Sequence, residues 1–134
     1  MSKDYFTIPI EYHGREDLIR VSVYDSKDTL RKAIAGLGGA VPDAIAYTHT
    51  YSCAEDKDVA ARLYFVAAPS VGTIAHESTH LALGLLSRLG YSNLEVTTDV
   101  APAIEEKLCG LVGDLTSIIK EDLDLYGSAQ KEAA

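Results

Sequence analysis

The sequence predicts an α+β domain: a small sheet of about four strands with helices packed on one face, the last helix long. Three observations predict it. Four stretches in the first half have strand length, and the clearest of them alternate apolar and polar residues at period two. Two stretches in the second half repeat apolar residues at helical spacing. At 134 residues the chain suits one domain with its own core and leaves little for a second.

The first strand is read in "YFTIPIEY", where Phe6, Ile8, Ile10 and Tyr12 share a face. Past a turn at Gly14, "LIRVSVYD" puts Ile19, Val21 and Val23 on one face, and the pair reads as a β-hairpin. In "SKDTLRKAIAGLGG", Leu30, Ala33, Ile34 and Leu37 recur at helical spacing; Ser26 or Asp28 can cap the start, and Gly36, Gly38 and Gly39 end it. "AIAYTHTYSC" alternates again, with Ile45, Tyr47, His49, Tyr51 and Cys53 on one side. The acidic "AEDKD" is a turn before "ARLYFVAA", a run with the length and aromatic content of a strand.

Pro69 stops that strand and Ser70 caps a helix over about 71–89, with Arg88 and Gly90 as its exit signals. Its apolar residues cover most of the circumference, which predicts burial. "YSNLEVTTDV" reads as a connecting loop with room for a short strand at Leu94–Thr97. A long last helix opens between Asp99 and Pro102 and stops at Gly127.

Composition excludes several functions. Twenty acidic residues against 12 basic ones give a net charge of −8. That argues against nucleic acid as a partner, since phosphate neutralisation needs clustered Lys and Arg, and against anionic membranes. No stretch approaches the roughly 20 apolar residues of a membrane span. No signal-peptide pattern is read at the N-terminus. Cys53 and Cys109 lack a C-x-x-C spacing and read as reduced thiols. The expected location is cytoplasmic.

One segment carries chemistry. In "TIAHESTHLAL", His76 and His80 are four residues apart on a helix, so both imidazoles reach one point in space, as two ligands of a tetrahedral Zn²⁺ must. Glu77 is rotated about 100° from the first ligand: too far round to be a third ligand, close enough to take a proton from a water that zinc polarises. A lone buried histidine would be ordinary packing, but two at this spacing inside a helix are hard to explain so. A third ligand is needed. Glu105 and Glu106 open the last helix, while His13 and His49 lie in the first half. Gly110, Gly113 and Ser117 share the phase of Glu106, and Gly84 and Ser87 continue the face of His76 and His80. Facing small stripes would let two helices approach, which favours Glu106; Glu105, in phase with Cys109, Val112 and Thr116, is the alternative.

H-E-x-x-H followed after a loop by E-x-x-(small) on a second helix resembles the gluzincin-type zinc metallopeptidases. "HESTH…EEKLCGLVGDL" more closely resembles small, largely uncharacterised bacteriophage-encoded H-E-x-x-H proteins, over about residues 70–117. The spacing itself reads as a single domain over 1–134, with sheet and first helix in 1–69, two helices in 70–127 and a frayed tail at 128–134; the resemblance implies that this domain is minimal and zincin-like, with the metal site on the helices of 70–127. It implies one Zn²⁺ per chain on His76, His80 and Glu106, with Glu77 as general base, and hydrolysis of an amide bond in a peptide or protein, in the host cytoplasm if the chain is phage-encoded.

Two departures from that pattern stand out. Cys109 occupies a place where alanine is usual, and reads as a small residue buried between helices. Gly110 occupies a place that often holds a partner for the first histidine, so Asp99 or Asp114 would have to orient an imidazole. Tyr47, His49 and Tyr51 on one strand face, and Tyr126, are the candidates to stabilise an oxyanion. "RLYFVAA" is placed to be an edge strand along which a peptide could add. Two rival readings are a non-catalytic phage interaction or inhibitor protein that retains zinc, and an amidase or endopeptidase of cell-wall peptides.

Overall fold

A computed structural model describes residues 3–12, 14–36, 44–51, 59–88 and 101–133. Its elements run β1 (Lys3–Tyr12), β2 (Arg15–Tyr24), α1 (Lys27–Gly36), β3 (Ala46–Thr50), β4 (Ala61–Val66), α2 (Val71–Arg88) and α3 (Ala101–Ala133). The expected α+β class is what forms, with a four-stranded sheet in the order β1-β2-β4-β3. β1 and β2 are an antiparallel hairpin in the register Ile8↔Ile19, and Gly14 in their turn has φ 78°, a left-handed conformation that glycine adopts without strain. β2 pairs with β4 in parallel and β4 with β3 antiparallel. The parallel pair requires a crossover, and α1 and β3 are the segments that the chain threads between β2 and β4.

Alternation sorts the sheet into two faces. Ile8, Ile10 and Tyr12 of β1, Ile19, Val21 and Val23 of β2, and Ala61, Leu63 and Phe65 of β4 form one buried layer. Onto it pack Ile74, Leu81, Leu85 and Leu86 of α2 and Leu111, Leu115, Ile119 and Leu123 of α3. The opposite face carries Tyr24 and Tyr64, which with Leu30 and Ile34 of α1 and Ala44 form a second cluster. So α2 and α3 share a face, and the short α1 covers part of the other. Both early helices are capped as their sequences suggest. The Thr29 amide donates to Ser26 Oγ (3.2 Å) and the Thr73 amide to Ser70 Oγ (3.1 Å), each satisfying a donor that the helix cannot.

Three expectations change. "RLYFVAA" supplies β4, which lies between β2 and β3; among the described residues the edge strands are β1 and β3. α2, expected to be buried because it is apolar over most of its circumference, has an exposed side: His76, Thr79, His80, Leu83 and Ser87 face solvent. α3 does not stop at Gly127 but continues to Ala133, taking in most of the tail expected to fray. A glycine inside a helix costs only about 1 kcal/mol, and the helix formers Ala, Gln, Lys and Glu follow it. Among the described residues no helix is long and apolar enough to cross a membrane.

Candidate metal and catalytic site

The site is built where α2 crosses the edge strand. Ala46, Thr48 and Thr50 alternate toward α2, and helix and strand touch closely enough that Gly84 has no room for a side chain. A Cβ there would lie 2.6 Å from Thr50 Cβ, and closer still to its Cγ2. The far end of the contact is fastened by Arg88, which donates to the Tyr51 carbonyl and lies 3.8 Å from Asp17. Asp17 also accepts from Tyr12 Oη (2.5 Å) and Arg15 Nε (2.9 Å). Burial, then the bond to Asp17, pushes the Tyr12 phenol up to about 12.

Against this frame the motif divides between two environments. Glu77 turns inward and is 5% exposed. Its Oε1 accepts from Thr48 Oγ1 at 2.6 Å, and the same hydroxyl lies 3.4 Å from the Glu77 carbonyl. His76 and His80 lie on the solvent side of the helix, the His76 side chain 70% exposed. Their Nε2 atoms are 3.3 Å apart, and Glu77 Oε2 is 4.0 Å from His76 Nε2.

That separation tests the fit of a metal. Two Zn–N bonds of about 2.0–2.1 Å at a tetrahedral angle place the nitrogens roughly 3.3–3.4 Å apart. The pair therefore already has the bite of two ligands. A direct imidazole–imidazole hydrogen bond is the alternative use of the same geometry, and at 3.3 Å it is longer than the usual 2.7–3.2 Å. Exposure removes one reason for doubting chance, because surface histidines need no packing role. Glu77, a buried carboxylate beside them, takes its one side-chain hydrogen bond among the described residues from Thr48.

The other candidates separate from this group. Tyr47, His49 and Tyr51 point to the opposite face of β3: Tyr47 packs on Tyr64 (centroids 5.9 Å) and His49 on Tyr51 (4.6 Å). As an edge strand alternates strictly, none of the three shares the face of Glu77. Tyr126 stacks on Phe6 of β1 at 5.4 Å. Asp114 is exposed on α3, and Cys109 is exposed rather than buried between helices. His13, Cys53 and Asp99 lie outside the described residues. Glu105 and Glu106 fall within the backbone of α3, but their side chains are also outside them.

The packing reason that favoured Glu106 does not hold. Gly110, Gly113 and Ser117 are exposed, and a Cβ at either glycine would meet nothing within 4 Å. Gly84 does mark a close approach, but to β3 and not to α3. Among the described residues no three His, Cys, Asp or Glu side chains converge on one point.

Thr48 was not singled out from sequence. The signal was its alternation with Ala46 and Thr50, a small and polar face set against an aromatic one. No family model, no curated protein and no solved structure matches this chain.

Proposed function

We propose that the chain is a zinc-dependent hydrolase of peptide or other amide bonds, acting in the cytoplasm, with His76 and His80 as metal ligands and Glu77 as general base. The observation that carries this reading is the 3.3 Å separation of the two Nε2 atoms beside a buried carboxylate at 4.0 Å. When bound, the metal supplies Lewis acidity toward a water and a substrate carbonyl. Glu77 Oε2 lies on the imidazole side of its carboxylate, where it can take a proton from the attacking water and return it to the departing amine. The exposed side of the histidines leaves the approach open. β3 runs beside Glu77 and among the described residues is paired along one edge only, so an extended peptide can add to it as a further strand.

The third ligand is assigned to the start of α3. The exposure of Gly110, Gly113 and Ser117 removes the reason to prefer Glu106 over Glu105. Both glutamates remain candidates. A second reading, a zinc-holding interaction protein without turnover, is favoured by the openness of the pair: at 70% exposure His76 has no cleft wall over it among the described residues.

The Glu77→Gln variant separates the two. Under the hydrolase reading it retains zinc and loses at least about a hundredfold of the peptide hydrolysis of the parent, the lower range for a general base. Equal turnover in parent and variant, or a zinc-loaded parent that cleaves no peptide in a broad library, would refute that reading.

A further inference from the structure

We propose that Thr48 is a positioning residue for Glu77: its hydroxyl holds Oε1 against the edge strand so that Oε2 is the oxygen presented to the histidine pair. This rests on the reading of Glu77 as the base. A carboxylate has two equivalent oxygens, and rotation about its last bond exchanges them. A bond to only one of them breaks that equivalence. The contact from Thr48 Oγ1 to Oε1 is 2.6 Å, within the range of O–H···O hydrogen bonds. Among the described residues it is the one side-chain hydrogen bond to this carboxylate, and Glu77 is too buried for solvent to replace it.

Thr48 is itself held in place. It is paired with Leu63 in the β3–β4 ladder, and its β-branched side chain has few rotamers. Two residues on, Thr50 lies in the space left by Gly84, so the distance between strand and helix is set by direct contact next to the clamp. Ala46, Thr48 and Thr50 are thus one functional face: the middle residue orients the base and the last sets how near it comes.

The test compares Thr48→Val, which keeps the branched shape and removes the hydroxyl, with Thr48→Ser, which does the reverse. In metal-free protein at one fixed pH, the Glu77 ¹³Cδ resonance should move or broaden in the Val variant and stay at the parent position in the Ser variant. In zinc-loaded protein, Thr48→Val should lower kcat about tenfold to a hundredfold with little change in KM, a range set by small misplacements of a reacting group. Thr48→Ser should remain within about threefold of the parent by the same reasoning.

An unchanged Glu77 resonance in a folded Val variant overturns the proposal. So does a Ser variant as impaired as the Val variant, which would make shape the cause. If Thr48→Val does not fold, Thr48→Ala set against Thr48→Ser decides by the same resonance. A parent that hydrolyses nothing, with the resonance shifted in metal-free Thr48→Val, supports the clamp and overturns only the hydrolase reading.

Discussion

Replacing Gly84 by alanine should loosen the contact on which the site is built. The added Cβ would lie 2.6 Å from Thr50 Cβ, whereas carbon atoms in contact sit about 3.5–4.0 Å apart. Rotating the Thr50 side chain cannot relieve this, because Cβ moves only with the backbone; β3 must retreat from α2 by about an ångström. Overpacking of this kind costs about 1–3 kcal/mol, and alanine returns about 1 kcal/mol of helix propensity. The expected net change runs from about zero to a loss of roughly 2 kcal/mol, or a Tm lower by up to about 8 °C for a domain of this size. Gly110 and Gly113 are the internal controls, since a Cβ at either meets nothing within 4 Å. Gly110→Ala and Gly113→Ala should each stabilise by up to about 1 kcal/mol. Thermal or urea unfolding of the three variants reads the contrast. If Gly84→Ala gains the roughly 1 kcal/mol expected of the two controls, the tight α2–β3 contact is wrong; if Gly113→Ala is destabilised, the glycine stripe of α3 is packed after all.

Alkaline unfolding should report the buried Tyr12. Its folded pKa, about 12, lies above the ordinary value of 10.0, so its contribution is complete below about pH 10 and is lost as pH rises toward 12. The loss is at most about 2–3 kcal/mol, and Tyr12→Phe should flatten that part of the stability–pH curve relative to the parent; parallel curves would remove Tyr12 as its source. For the third ligand, one of Glu105→Gln and Glu106→Gln should weaken zinc binding at least about tenfold while the other leaves it near the parent value, the usual outcome when one of three ligands is removed. Unchanged affinity in both variants would exclude the start of α3 as a source.

Much of this fold could be read from spacing alone. The β1–β2 hairpin follows from alternation around Gly14, and α2 from Ser70, its apolar repeat and Arg88. What spacing could not show is which strands become neighbours. The parallel pairing of β2 with β4 joins residues some forty positions apart, so "RLYFVAA" became an interior strand and β3 an edge strand. Thr48 was overlooked for a related reason. Both faces of "AIAYTHTYSC" are half polar, and the aromatic face looked the more likely to serve the site, whereas Tyr47 turns to the α1 side. Glycines were ambiguous in the same way. A missing side chain signals close approach or nothing, and only the partner decides: Thr50 lies against Gly84, while Gly110 and Gly113 face solvent. The proximity of His76, Glu77 and His80 was legible because one helical turn determines it.

Titration of zinc into metal-free protein, followed by calorimetry in the parent and in His76→Ala and His80→Ala, addresses the metal pair itself. If the two Nε2 atoms 3.3 Å apart are ligands, the parent binds one equivalent with release of heat or protons, and each alanine variant loses that binding by several orders of magnitude. A parent that binds no zinc, or variants that bind it as the parent does, would contradict the assignment of His76 and His80 as a metal site.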